Sequence, residues 1–395
     1  MASNEVVLCG AVRTPIGTYG GALKDLPASE LGAAVIRETL LRNGLAGAQV
    51  QSLVMGNVIQ AGNRMNPARQ AGLAAGLPVE VPALTVNRVC GSGAQAVVSA
   101  ALEVAAGMVD CAVAGGMENM DRAPYLLPQG RWGARMGDVT LFDSMLLDGL
   151  HDAVSGQHAG WHTEDLVIRC GVSREDQDRW ALRSQLAFSA AQAAGRFDGE
   201  IVTLQVPGRK GPVPFARDEH NRPETTMESL ARLKPAFRKE GTITAANASQ
   251  ISDGGCALVM MSERAVNARG VAPLGQVVGY GMVAGPDNAS LLHQPSRAIH
   301  AALARVGKTV GDVDLFEINE AFAAVGIASM SELGITDAIV NVNGGAIALG
   351  HPIGMSGNRL ALTLLHELRR RGGGLGAAAL CGGGGQGDAL LVRSL

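Results

Sequence analysis

Apolar, β-like runs alternate with Ala-rich helical stretches at two places along the chain. In the N-terminal half the pattern predicts a strand over residues 6–12, a helix over about 29–43 and a strand around 53–59. A helix after Cys90 and a strand over 111–115 follow. In the C-terminal part it predicts a strand over 276–282, a helix over 296–306, and strands over 313–318 and 338–342. A helix after Gly357 and a strand ending at Cys381 complete the series. Strand–helix alternation of this kind implies mainly parallel sheets with helices on their faces.

The two parts read as copies. A shift of 263 aligns residues 31–55 with 294–318 without a gap, so that Ile36 meets Ile299, Arg42 meets Arg305 and Gly44 meets Gly307. Ser92-Gly93 meets Ser356-Gly357 at a shift of 264, and Ala114-Gly115-Gly116 meets Cys381-Gly382-Gly383 at 267. If the halves are duplicates, their equivalent helix N-termini can converge on one site. Between them the pattern changes: all three tryptophans fall in residues 121–249, and residues 196–240 carry nine Lys/Arg against seven Asp/Glu. This segment reads as a large insertion or lid, whose mild basicity suits a phosphorylated ligand or a solvated surface.

At 395 residues the chain is long enough for two or three cores. Its 33 Lys/Arg against 36 Asp/Glu give a net charge of −3, which excludes the basic footprint of a nucleic-acid binder. Hydrophobic residues make up 47% and charged residues 17%, which excludes a disordered chain. No apolar run reaches the roughly 18 residues of a membrane span. The start, MASNEVV, lacks a charged-then-apolar leader, and the end, VRSL, is neither a CaaX box nor SKL. Six scattered cysteines without a C-x-x-C pair fit neither a zinc cluster nor a disulfide framework. The expectation is a soluble, cytoplasmic protein with free thiols. The 53 glycines and 13 aromatics suggest a layered α/β protein with tight turns near bound chemistry.

Four segments can carry that chemistry. In VNRVCGSGAQA, residues 86–96, an extended run ends at Cys90 and Gly-Ser-Gly opens a helix. A cysteine there lies beside unpaired N–H groups that favour thiolate and can hold an oxyanion. The same letters satisfy G-x-G-x-x-A with Asp110 downstream, as in a dinucleotide fingerprint. Asp110, however, precedes the next strand instead of ending it, and that reading gives Cys90 no role. NGGAIALGHPIGMSG, residues 343–357, presents His351 on a Gly-rich loop as a candidate base. LCGGGGQG, residues 380–387, sets Cys381 at a strand end before four glycines, and NEAFA, residues 319–323, sets Asn319 after a strand. Two thiols, an imidazole and an amide suit a chemistry in which one thiolate carries an acyl group while a second thiol moves a proton on carbon.

Together, in this order and spacing, these four motifs resemble the thiolase family, as do VRTPIGTYGG, AGGMENM and TITAANASQISDGG. The resemblance runs the whole length. It implies an α/β fold of two duplicated βαβαβαββ halves in five α-β-α-β-α layers with an inserted loop domain. On this reading the N-terminal half is 1–120 plus 250–272, the loop domain 121–249 and the C-terminal half 273–395. It further implies Cys90 as acyl-accepting nucleophile, His351 as its base and Cys381 as the acid/base acting on the α-carbon. Asn319, through a water, and His351 would hold the enolate oxygen, and the N–H groups of Cys90 and Gly383 the tetrahedral intermediate. Arg222, Ser229, Ser249, His158 and Leu150 would contact the CoA substrate.

The implied reaction is ping-pong thiolysis of acetoacetyl-CoA or the reverse Claisen condensation, with CoA as substrate and no metal or redox cofactor. Partners would be acyl-CoA and CoA, with neither nucleic acid nor membrane, in a homodimer or homotetramer. A broad-chain 3-ketoacyl-CoA thiolase is the alternative; an NAD-dependent oxidoreductase and a non-catalytic acyl-CoA carrier stand further off. Three positions depart from the family pattern: Ala159 stands for the usual Met, Gly382 for a branched residue, and residues 288–296 carry His293. Ala159 and Gly382 are expected to widen the acyl pocket and Trp161 to refill it.

Overall fold

The computed structural model describes residues 5–395, so Met1–Asn4, part of the leader expectation, lie outside the described residues. The first half contains β1 (Val6–Arg13), α1 (Ala28–Arg42), β2 (Ser52–Gly56), α2 (Pro67–Ala74), β3 (Ala83–Val86), α3 (Ser92–Ala105) and β4 (Cys111–Asn119). The insertion follows with α4 (Ala159–Arg169) and α5 (Arg174–Ala193), and β5 (Ser252–Ser262) returns to the sheet. The second half contains β6 (Gly275–Ala284), α6 (Gln294–Arg305), β7 (Leu315–Ile318), α7 (Ala323–Leu333), α8 (Ser356–Arg370), β8 (Gly374–Gly382) and β9 (Gln386–Ser394).

These strands, with Gly17–Thr18 pairing onto β5, form one ten-stranded sheet in the order β7-β8-β9-β6-β1-β5-β4-β2-β3. Four strands on each side match about the β6–β1 junction, where Val7 pairs with Gln276 and Leu8 with Gly275, and in that order only β3 lacks a counterpart among the described residues. The sheet is mixed, not mainly parallel. Only β2–β3, β2–β4 and β7–β8 run parallel, while β1–β5, β4–β5, β1–β6, β6–β9 and β8–β9 are antiparallel. For β8–β9 the cause is local: they are joined by the short Gly383–Gly385 turn, which cannot make the crossover a parallel pair needs.

Two other expectations are corrected. Residues 338–342 form no strand: a 3₁₀ turn, Asp337–Ile339, is followed by a single bridge from Val340 to Phe316. Asn341 has φ +45°, and its side chain bonds the N–H and C=O of Ile318, replacing the ladder there. The 267 register also fails. Leu53 pairs with Val113 and Phe316 with Ala377, so 113 maps onto 377, a shift of 264. Cys381 therefore occupies the place of Met117.

Burial explains why the strands read as unbroken apolar runs. In β1, Val6, Leu8 and Ala11 join the core around α3 and α8, while Val7, Cys9 and Val12 face the core under α1 and α2. A third core packs α6 and α7 on the outer face of the second half. The layers are thus α1/α2, half-sheet, α3/α8, half-sheet and α6/α7. The insertion is bound to this body by buried polar contacts. Arg13 Nε and Nη1 lie 2.6 Å from Glu200 and 2.7 Å from Asp218, and Trp180 Nε1 donates to Glu320 at 3.0 Å.

Candidate active site

The site is made where the two central helices meet. α3 and α8 cross at Gly93 and Gly357: a Cβ on Gly93 would lie 2.8 Å from Asn358 N, and one on Gly357 2.5 Å from Ala94 N. No larger residue allows this approach. The loops entering these helices, carrying Cys90 and His351, are thereby brought side by side, and the equivalent N-termini converge as duplication would have them. Val89, just before Cys90, takes φ +50°, a strained conformation for a β-branched residue. Ser92 fixes it, accepting from Arg88 N at 2.8 Å and donating to Val89 O at 2.6 Å.

Cys90, His351, Cys381 and Gly383 line one largely apolar cavity of 770 Å³. Cys90 is half-buried, and burial pushes its thiol up to about 11, against the pull of its own N–H and that of Gly383. The helix end therefore does not hold a standing thiolate at neutral pH, and a base must take the proton as the sulfur attacks. Cys381 is 2% exposed, and burial with the neighbouring Cys90 raises its thiol still further.

His351 is built to be that base. Ser356 Oγ donates to Pro352 O at 2.8 Å, so it accepts from His351 Nδ1–H at 2.6 Å. The Nε2 lone pair faces the other side, where it accepts a long 3.4 Å hydrogen bond from Asn319 Nδ2. Burial, and then Arg359, push His351 down to about 3, which keeps the imidazole neutral. Asn319 is fully buried, and its Oδ1 has no hydrogen-bond partner among the described residues.

Leu150, His158 and Ser249 also line the cavity. His158 caps α4, accepting from Gly160 N at 2.9 Å, and stacks on Phe237 at 4.5 Å; burial and His151 lower it to about 4. Arg222 lies on a second cavity of 530 Å³, which shares Ala245, Gln250 and Ile251 with the first. Ser229 lines neither cavity; it is exposed on the short helix Met227–Ala231, paired with Thr226. Three of the nine basic residues of 196–240 are engaged by protein: Arg196 by Asn343, Arg232 by Glu228 and Arg238 by Asp165.

Ala159 lines the cavity, but Trp161 does not refill it: its ring lies under Arg238, 4.6 Å from Cζ. Gly382 is likewise outside the lining, whereas Asn288, Ala289 and Leu291 are part of it. Ser356 and Phe237 were not foreseen as functional. A hydroxyl one turn after a loop histidine was the available signal for Ser356; nothing local marks Phe237. Among the described residues no group of three or more His, Cys, Asp or Glu can hold a metal ion.

Set against known proteins, residues 6–264 match the thiolase N-terminal domain and 271–394 the thiolase C-terminal domain. The chain is 49% identical over 390 residues to an acetyl-CoA acetyltransferase of Cupriavidus necator, covering 98% of this chain and 99% of that one. Among solved structures it resembles the acetyl-CoA acetyltransferase of Bacillus anthracis (TM-score 0.97, 43% identity) and human mitochondrial 3-ketoacyl-CoA thiolase (TM-score 0.96, 40% identity), each covered in full on both sides. Two domain matches that together span nearly the whole chain, over a fold superposing end to end, place this protein in the thiolase family.

Proposed function

We propose that this chain is an acetyl-CoA C-acetyltransferase, catalysing reversible thiolysis and Claisen condensation of acetoacetyl-CoA through an acyl-cysteine. The observation that carries the reading is the meeting of Cys90, His351, Cys381 and Gly383 on one apolar cavity. His351 Nε2 takes the Cys90 proton as the sulfur attacks the ketone carbonyl, and the N–H groups of Cys90 and Gly383 receive the oxyanion. The α-carbon bond breaks, Cys381 protonates that carbon, and acetyl-CoA leaves. His351 and Asn319, through a water, hold the enolate oxygen. CoA then removes the acyl group from Cys90, with Cys381 taking the thiol proton. CoA is a substrate, and these steps call on no metal or redox cofactor.

Leu150, His158, Ser249 and Arg222 are read as CoA contacts; Ser229 belongs with them only at the outer end of the ligand. The division into halves 1–120 plus 250–272 and 273–395 around a loop domain 121–249 is supported by the matching order of four strands on each side. A homodimer or homotetramer is supported by exposed apolar groups in the insertion, with Trp132 81% and Met136 97% exposed. Six unpaired cysteines support a cytoplasmic setting, and among the described residues no helix is long and apolar enough to cross a membrane.

A broad-chain 3-ketoacyl-CoA thiolase is the second reading, favoured by the small Ala159 in the wall. Parallel thiolysis of acetoacetyl-CoA and 3-ketooctanoyl-CoA decides between them. Turnover of acetoacetyl-CoA alone supports the first reading, comparable octanoyl turnover supports the second, and silence on both overturns the enzymatic reading for these chains.

A further inference from the structure

Outside the cavity, α4 ends on a second nucleophile. Cys170 caps the helix, and its Sγ lies 3.3 Å from His293 Nε2. His293 Nδ1 in turn lies 2.9 Å from Glu332 Oε2. The three residues come from three elements: the end of α4, the N-cap of α6 and the last turn of α7. Ser296 Oγ donates to the same Glu332 oxygen at 2.5 Å and fixes it. An ionised carboxylate only accepts, so the imidazole proton sits on Nδ1 and the Nε2 lone pair faces the thiol. Cys170 is the exposed member of the six cysteines, and neither it nor His293 lines the catalytic cavity.

We propose that Cys170 is a thiol-modification site for low-molecular-weight disulfides, with His293, oriented by Glu332, as the acceptor of the thiol proton. The sulfur attacks one sulfur of the disulfide, whose S–S bond breaks as the mixed disulfide forms. The expelled thiolate takes the proton from His293, so Cys170 is oxidised and the leaving sulfur reduced. Exchange of this kind needs an activated thiol and open approach, but no oxyanion hole. That distinction selects disulfides over thioesters here. The N–H groups of Cys170, Gly171 and Val172 are all spent on carbonyls of α4, at 2.9, 3.1 and 3.1 Å, and cannot stabilise a tetrahedral oxyanion.

The charged groups facing the thiol are Arg169, which favours thiolate, and Glu332, which with partial burial opposes it. The resting form is therefore the thiol, and the proton acceptor controls the rate near neutrality.

Oxidised glutathione, with mass-spectrometric mapping of each cysteine in the full-length protein, provides the test. At pH 7 His293→Asn should slow modification of Cys170 roughly tenfold, with Glu332→Gln between it and wild type. The curves should converge only at alkaline pH beyond the ordinary thiol range, where free thiolate dominates in every variant, because burial holds the Cys170 thiol above its usual value. Unchanged melting and thiolysis would show that the variants are folded; if His293→Asn does not fold, Glu332→Gln decides. Equal rates in all three proteins from about pH 6 to 9, or modification of Cys170 no faster than that of buried Cys256, would overturn the proposal.

Discussion

Arg88 Nε lies 2.8 Å from Asp388 Oδ1, and this ion pair binds the loop that carries Cys90 to strand β9. Asp388 also packs on the residue after the nucleophile, since a Cβ on Gly91 would stand 2.2 Å from its Oδ2. The pair opposes the strain at Val89, for which about 1–3 kcal/mol is typical. Its carboxylate also raises the Cys90 thiol. The two effects separate in Asp388→Asn. Turnover should fall about tenfold as the loop loosens, while the pH midpoint of Cys90 alkylation moves down. A midpoint that stays or rises would contradict the electrostatic part.

The two thiols have separable tasks. Cys90→Ser should form no acyl-enzyme from acetyl-CoA, because the hydroxyl is a far weaker nucleophile at that site. Cys381→Ala should still gain the acetyl mass on Cys90 but fail to exchange the α-proton or to condense. Absence of the acetyl adduct in Cys381→Ala would remove that cysteine from the role given to it.

Ser356→Ala tests how the imidazole is held. Without the acceptor for Nδ1–H, the ring loses both its orientation and its preferred tautomer. The expected loss in kcat is about ten- to a hundredfold, with KM for acetoacetyl-CoA nearly unchanged. A matching rise in KM would instead point to damage in substrate binding.

Gly357→Ala addresses the helix crossing. The added methyl meets Ala94 N at 2.5 Å, a backbone atom that cannot swing away. Overpacking of this kind costs about 1–3 kcal/mol, readable as a lowered denaturation midpoint. Activity should fall further than the lost stability explains, because the same shift parts Cys90 from His351.

Glu118 gives the pH prediction. It is fully buried beneath the His351 loop, accepting from Gly354 N at 2.9 Å and Val58 N at 3.0 Å, and burial raises it to about 7. A carboxyl raised on folding binds protons more tightly in the native state, so its contribution is fullest below the unfolded value and is lost as pH rises toward 7. The Glu118→Gln protein should lack this component, about 3 kcal/mol at most between pH 4.5 and 7. Urea titrations of both proteins across that window measure it; parallel slopes would refute it.

The strands and helices legible in the sequence were those buried on both faces or strongly amphipathic, such as β1 and α6. β5 was not legible, because its opening Ser-Asp-Gly-Gly reads as a turn although all eleven residues are buried. β9 was hidden by the glycines before it, and its antiparallel return, like that of β5, makes the sheet mixed. Within the site, Cys90, His351 and Cys381 announced themselves through the glycines around them. Phe237 and Arg88–Asp388 did not, since a stacking ring and an ion pair 300 residues apart in sequence acquire meaning only when the chain has folded.

The narrow junction at Val7–Gln276 and Leu8–Gly275 bears on how the enzyme fails. Cys90 stands on one side of it and His351, Cys381 and Gly383 on the other, so neither half owns a working centre. Catalysis is in effect a sensor of registry between the halves. Any breathing across that seam, or between α3 and α8 below it, silences the chemistry while each half still keeps its strands and helices, and inactivation on heating should run ahead of the loss of secondary structure.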